Sequence, residues 1–360
     1  MDSDENAGQS WAEWLAELRA LPANLRGGPG HRGARSDHFD GNQFFNPGGR
    51  AGKDWEEWWR WMRTRTPTPW PLWRGRQIEA NLPGNVAAGE VVVTFINHMT
   101  CLIQFANLNI LTDPVYSSRA SPVQWAGPRR VHPPGVRFEQ LPRIDLVFVS
   151  HSHYDHMDLP TLKRLARAQT PSPLFVTGLG NAAFLREQGI ANVLELDWWG
   201  QAILPQAVLM FTPALHWSSR GLGGRNRTLW GGLWIQAGDR TVYFSGDTGY
   251  SPLFSQLRQA RGAPDMALLP IGAYEPRWFM CDQHMNPDEA VRAHVELGAR
   301  TSVGTHFGCF QLSDEGIDEP VLAVDRARRE RGVDPVSFHA PRPGETLIYR
   351  PGSGRIDVEA

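Results

Sequence analysis

His151-Ser152-His153-Tyr154-Asp155-His156 stands one residue after the apolar run Val147-Phe148-Val149 and just before Asp158-Leu159-Pro160. Three imidazoles and a carboxylate thus fall within six residues, where a β-run ends and a helix begins. Strand-end loops are where a rigid scaffold can aim side chains at one point. The same placement recurs along the chain. His216 follows Phe211-Thr212-Pro213, Asp247 follows Val242-Tyr243-Phe244 through Ser245-Gly246, and His306 follows Thr301-Ser302-Val303-Gly304.

The donor types suit Zn²⁺ or a similar divalent ion: imidazoles and carboxylates, with no thiolate among them. In the H-x-H-x-D-H loop, His151 and His153 can reach one ion while Asp155 and His156 reach a second. A carboxylate such as Asp247 can bridge the two. Paired ions lower the pKa of a shared water and neutralise both attacking and leaving oxygens, which is hydrolytic machinery. Taken alone, Gly246-Asp247-Thr248-Gly249 is an ordinary turn; its position between other donor candidates is what raises it. His31, His38, His132 and His339 are assigned to solvent or packing, and His294 is read as a structural residue of a helix.

Around these loops the elements alternate. β-type runs read at Val91–Ile96, Leu108–Leu111, Ile144–Val149, Val208–Phe211, Leu233–Ile235, Val242–Phe244 and Met266–Pro270. Asp158-Leu159-Pro160 opens a helix with Leu162, Leu165 and Ala166 on one face, and Ser251-Pro252 caps another. The clearest helix is Pro287–Leu297, with Asn286 as cap, Asp288 and Glu289 in the first turn and Gly298 as stop. Such intermixing argues for α/β layers around sheets from residue 86 to 360.

Residues 1–85 read differently, as an extension. Trp11–Leu18 has helical spacing behind Ser10, Arg26–Arg35 is rich in Gly and Arg, Lys53–Arg63 predicts a second short helix, and Thr66–Pro71 predicts irregular chain. Eight of the 15 Trp crowd this part: Trp11, Trp14, Trp55, Trp58, Trp59, Trp61, Trp70 and Trp73. Indoles favour membrane–water interfaces, and an amphipathic segment can lie in one. The alternative is that these rings pack the extension onto the rest of the chain.

Composition narrows the field. A net charge of -2, without a Lys/Arg stripe, gives no basis for nucleic-acid binding. Three cysteines without C-x-x-C spacing do not make a disulfide framework. The opening Met1-Asp2-Ser3-Asp4-Glu5 lacks the basic-then-apolar plan of a signal peptide, and no apolar run approaches the roughly 20 residues of a membrane span. The expected location is cytoplasmic or peripheral on a membrane.

Together these motifs resemble the metallo-β-lactamase superfamily and, within it, the family of N-acylphosphatidylethanolamine-hydrolysing phospholipases D. The likeness spans roughly residues 90–345 and includes Leu111–Pro122, Gln124, Gly127-Pro128, Glu195–Trp199, Gly246–Tyr250 and Pro270–Met280 followed by Gln283-His284. It implies an αββα sandwich, two mixed sheets flanked by helices. It also implies two Zn²⁺ (or another divalent metal), with His151, His153 and His216 on one ion, Asp155, His156 and His306 on the other, and Asp247 between them. Asp247 and His284 would be catalytic, His284 and Gln124 would touch substrate, and the substrate would be a membrane phospholipid met by a homodimer. Asn97-His98-Met99-Thr100 and Cys281-Asp282 depart from the family pattern; His98 is read as structural.

Other readings stay open at this point. The same fold hydrolyses lactones, β-lactams and other phosphodiesters, since fold does not fix substrate. A nuclease is disfavoured by charge, and a di-iron oxidoreductase by His153, where such relatives commonly carry Glu. A silent binding protein is disfavoured because no donor position is missing.

Overall fold

The computed structural model describes residues 28–49, 53–75, 80, 82–221, 223–350 and 356–359. The helix expected over Trp11–Leu18 lies outside them. Within them the first helix is α1 (Trp55–Thr64), started by an Asp54–Glu57 capping box. Three strands follow, β1 (Val91–Asn97), β2 (Thr100–Phe105) and β3 (Leu108–Thr112). Next come β4 (Leu146–Val149), α2 (Leu159–Ala168), β5 (Leu174–Gly178), α3 (Ala182–Glu187) and β6 (Val193–Leu196). The strands β7 (Gln201–Ile203), β8 (Val208–Thr212), β9 (Gly232–Ala237) and β10 (Arg240–Phe244) lead through α4 (Leu253–Arg261) to β11 (Met266–Pro270). α5 (Arg277–Met280) and α6 (Pro287–Leu297) precede β12 (Thr301–Thr305), and α7 (Glu319–Arg331) precedes β13 (Phe338–His339). β14 (Thr346–Tyr349) and β15 (Ile356–Glu359) come last.

Two mixed sheets result. One runs β15-β14-β1-β2-β3-β4-β5-β6, the other β13-β12-β11-β10-β9-β8-β7. In the first, β1, β2 and β3 pair antiparallel and β3 to β6 pair parallel. In the second, β10 to β13 pair parallel while β7 to β10 pair antiparallel. Two antiparallel steps restore a strand's direction, so β1, β3 and β4 all point one way, as do β8, β10 and β12. Their C-terminal ends form one edge of the sandwich.

Alternation along the strands divides the core into three layers. Val91, Val93 and Phe95 of β1 and Cys101, Ile103 and Phe105 of β2 face the other sheet, meeting Leu233, Ile235, Val242 and Phe244. The opposite face of the first sheet takes Leu159, Leu162 and Leu165 of α2 and Leu185 of α3. The outer face of the second takes Phe254, Leu257, Ala290, Val291, Leu297 and Val324 from α4, α6 and α7. Both faces of each sheet are therefore covered, which is why its central strands read as continuous apolar runs. The α/β sandwich is as expected, and α6 forms as predicted: Asn286 closes a capping box with Glu289, and Gly298 ends the helix at φ 65°.

The extension is tied into this frame. Phe39 and Phe44 bridge to one another and join the inter-sheet core. Trp61 stacks on Phe279 at 4.8 Å, and the Trp70 indole N–H donates to Glu315 O at 2.9 Å. Other indoles stay out: α1 has no buried residue, and Trp55, Trp59 and Trp73 are exposed.

Because Phe44 is 1% exposed within the main core, Phe44→Ala is expected to destabilise the whole molecule by about 3–5 kcal/mol. Urea unfolding measures this; a loss under about 1 kcal/mol would mean that the extension packs on a fold complete without it.

Candidate metal centre

Strand ends deliver most of the side chains at this edge, and His284 comes from the segment after α5. His98 follows β1, Asp113 follows β3 and His151–His156 follow β4, all from the first sheet. His216 follows β8, Asp247 follows β10 and His306 follows β12, from the second. The backbone is strained where these side chains turn inward. His98, Asp113 and His306 have φ of 48°, 33° and 62°, a left-handed region that costs about 1–3 kcal/mol for a residue with a Cβ. Gly272 lets two of these loops touch: a Cβ there would lie 2.1 Å from His306 O.

Three nitrogen donors converge first. His151 Nε2 lies 2.7 Å from His153 Nδ1, and His216 Nε2 lies 3.4 Å from the same atom. Their tautomers are set from behind. The Ser150 hydroxyl donates to Asp113 Oδ2 (2.6 Å), so its oxygen accepts from His151 Nδ1 (2.9 Å) and leaves Nε2 facing inward. His216 Nδ1 donates to Gln283 O (3.0 Å), with the same effect. Burial, added to by neighbouring imidazoles, depresses all three. The pKa falls to about 3 at His153, about 4 at His216, and well below the usual range at His151. They are neutral, lone-pair-bearing rings at neutral pH.

Carboxylates organise the other half. Asp247 Oδ2 is 3.1 Å from both His156 Nε2 and His306 Nε2. Asp155 Oδ2 is 3.2 Å from His156 Nε2, 3.5 Å from His306 Nε2 and 3.0 Å from His98 Nε2. Burial opposes charge on His156, but Asp247, Asp155 and Asp113 outweigh it and raise its pKa well above the ordinary value. At His306 the same contest, won by Asp247 and Asp155, raises the pKa to about 9. Both carboxyls stay well below the usual carboxylate range: burial opposes, and His156 leads the groups that overcome it.

These residues fit a bound cation. Asp247 Oδ1 and His284 Nδ1 are buried with no hydrogen-bond partner among the described residues, and His156 Nε2 and His306 Nε2 have only their ion-pair contacts with the two carboxylates, none in hydrogen-bond geometry. A buried polar atom without a hydrogen bond costs about 1–3 kcal/mol, and four at one point are unusual unless something outside the protein satisfies them. One proton shared among the nitrogens of His151, His153 and His216 cannot serve all three; a metal ion can. The donor atoms fall into groups whose members lie within 4.8 Å of one another: His151, His153 and His216; His98, Asp155, His156 and His306; His151, His156 and Asp247; His216, Asp247 and His284.

All seven expected metal-site residues are thus brought together, with His284 beside them: its ring meets His216 edge-on at 5.0 Å and its Nδ1 is 3.9 Å from Asp247 Oδ2. Gln124 is elsewhere, on an exposed turn, where its side-chain amide exchanges hydrogen bonds with the Arg119 backbone. Two further residues belong to the centre. Asp113, fully buried, accepts from Ser150 N (2.7 Å) and His156 Nδ1 (2.7 Å) and so orients the metal loop. His98, read from sequence as structural, reaches the Asp155 carboxylate itself. Asp113 carried the same signal as the others, an acid directly after a β-run. From the extension, Asn46 Nδ2 donates to His216 O (2.8 Å).

The chain is similar to known proteins in both sequence and fold. Residues 108–307 match the family described as the beta-lactamase superfamily domain. An N-acyl-phosphatidylethanolamine-hydrolyzing phospholipase D of Caenorhabditis elegans is 39% identical over 252 residues, 65% of this chain and 70% of the worm protein. A mitochondrial protein of the same description from Saccharomyces cerevisiae is 35% identical over 254 residues, 67% of this chain and 54% of the yeast protein. Among solved structures, an isothiocyanate hydrolase from Delia radicum gut bacteria superposes with a TM-score of 0.55 at 22% identity, covering 71% of this chain and 98% of that one.

A metal ion held by His306 would compete with the proton that this ring keeps up to about pH 9. Its raised pKa means that the proton is present at neutral pH and lost as the pH climbs. Metal affinity should therefore rise from about pH 7 to about pH 9, with protons released on uptake. Titration calorimetry in buffers of different ionisation enthalpy reads both; affinity and proton count flat across that range would contradict it.

Proposed function

We propose that this chain, which belongs to the metallo-β-lactamase superfamily and is a metal-dependent hydrolase, uses two zinc ions to cleave N-acylphosphatidylethanolamine into phosphatidic acid and an N-acylethanolamine. His151, His153 and His216 would hold one ion, Asp155, His156 and His306 the other, and Asp247 would bridge them. The observation that carries this reading is the shared position of Asp247. Its Oδ2 faces His156, His216, His284 and His306, donors from both halves of the cluster, and its Oδ1 is unclaimed. The likeness to the worm and yeast phospholipases supplies the substrate class.

Bound there, such ions would supply an acidified water and positive charge for the phosphoryl oxygens. The protein's own groups do the rest. Asp247, held anionic, orients the nucleophile through the oxygen that no hydrogen bond occupies. His284 is kept neutral by burial despite the nearby Asp247, and its unpartnered Nδ1 is suited to contact the departing oxygen. Water adds to phosphorus, the P–O bond to the N-acylethanolamine breaks, and a proton passes to that alcohol. Arg277 fixes the His284 backbone by donating to its carbonyl at 2.9 Å. Gln124 would contact the head group from its exposed turn.

Such a substrate lies in a membrane. No helix among the described residues is long and apolar enough to cross one, so contact would be peripheral. The exposed indoles of α1 suit that role: Trp55 is 68% and Trp59 44% exposed, and Arg63 stands over the Trp59 ring at 5.8 Å. α1 also touches the segment leading to His284, where Arg60 lies 4.5 Å over Trp278. Indoles beside cations favour an anionic lipid interface. The same reading carries a homodimer, countable by sedimentation.

Zinc-loaded protein should release N-acylethanolamine from N-acylphosphatidylethanolamine vesicles. Asp247→Asn should lower kcat by about a hundredfold or more and His284→Gln by about a hundredfold, each with its fold intact. Turnover of lactones or β-lactams in place of the phospholipid would transfer the activity to that other branch of the superfamily. A Trp55→Ser/Trp59→Ser variant should bind anionic vesicles more weakly with unchanged turnover of a soluble short-chain substrate. Unchanged vesicle binding would take α1 out of membrane contact.

A further inference from the structure

Arg220, four residues after His216, is 5% exposed and among the described residues has no carboxylate partner. The nearby acid, Asp158, is already occupied: its carboxylate accepts from Tyr116 N, Ser117 N, Ser117 Oγ and Thr161 Oγ1. A buried guanidinium ordinarily needs an acid or well-placed acceptors, and here the acceptors are carbonyls of the metal loop. Arg220 Nη1 donates to Ser152 O at 3.1 Å and to Met157 O at 2.8 Å. The two carbonyls bracket His153, Asp155 and His156. The guanidinium lies 4.5 Å over the Tyr154 ring, in the middle of that loop, and 5.4 Å from Phe184. The next residue adds a second tie, as Gly221 N donates to Tyr154 Oη at 3.2 Å.

We infer that Arg220 is a positioning residue for metal loading, locking the His151–His156 loop to the segment that presents His216. The loop's own bonds are few: His156 N and Met157 N both donate to His153 O. Asp113 and Ser150 brace it from the first sheet, and Arg220 braces it from the second. One donor group therefore sets the separation between His153, which faces His216, and the Asp155–His156 pair, which faces His306. Both bonds leave the same nitrogen, Nη1, so what calls for a guanidinium is its plane, which lies over the Tyr154 ring while that nitrogen holds the two carbonyls. A lysine ammonium can reach these carbonyls with its single nitrogen but has no plane to lay over the ring. The inference concerns metal uptake alone, so it stands or falls separately from the phospholipid reading.

Zn²⁺ affinity, measured against a competing chelator, and the visible spectrum of the Co²⁺-loaded protein test it without substrate. Arg220→Met should weaken Zn²⁺ binding about 10–100-fold and alter the Co²⁺ bands, and Arg220→Lys should fall between it and the parent. In Arg220→Ala, millimolar methylguanidinium should restore Zn²⁺ affinity. Arg227→Met serves as control: Arg227 lies on the same segment but donates to Pro29 O, and its loss should leave both readouts unchanged. Parental Zn²⁺ affinity and Co²⁺ spectrum in Arg220→Met would overturn the inference. If that variant does not fold, Arg220→Lys decides on the same measurements, parental values again overturning it. Equal loss in Arg227→Met would reduce Arg220 to general packing.

Discussion

Asp247 is buried and Asp155 nearly so, and they share the same two neighbours, His156 and His306. Removing a carboxylate from water costs several kcal/mol even after relaxation, unless opposite charge and hydrogen bonds meet it. Neither sheet meets that cost by itself. Asp155 and His156 come from the first, Asp247 and His306 from the second, and each carboxylate is contacted across the interface. The layers are therefore joined by charge at one edge and by apolar packing through the middle. The strained backbones of His98, Asp113 and His306 sit at that edge, where donors must turn inward in a single residue.

The sheets and the donors of the cluster were legible because both rest on local patterns. Val147-Phe148-Val149 followed by His151–His156 is a strand and its loop on composition alone, and a strand covered on both faces advertises itself as an unbroken apolar run. Asp113 escaped notice because a lone acid after a β-run looks like any turn former; its meaning is the 2.7 Å contact with His156, 43 residues away. His98 reads from sequence as structural, since nothing local shows that β1 and β4 end close together at the Asp155 carboxylate. Arg220 is the harder case: its partners are backbone carbonyls, which leave no mark in a sequence.

The tryptophans divide by partner rather than by position. Trp61 and Trp70 pack inward on Phe279 and Glu315, while Trp55 and Trp59, within the same helix as Trp61, face outward. Packing and interface were alternatives only while the extension was treated as one object. Its inward contacts fall beside functional segments: Asn46 at His216, Lys53 at Asp282 (2.7 Å) and Trp61 on α5, which leads to His284. The stretch that least resembles the family pattern therefore buttresses two of its loops.

The order of strands in the first sheet has a bearing on how the molecule comes into being. β14 lies against β1, yet it is made only after every strand of the second sheet has been made. On a ribosome the first sheet thus waits, with one flank of β1 uncovered, until β14 itself has emerged. Pairings so distant in sequence fold slowly, and an uncovered strand flank invites association with other chains. His306 precedes that closing step by α7 and β13, so the last imidazole of the cluster also emerges late, after most of both sheets.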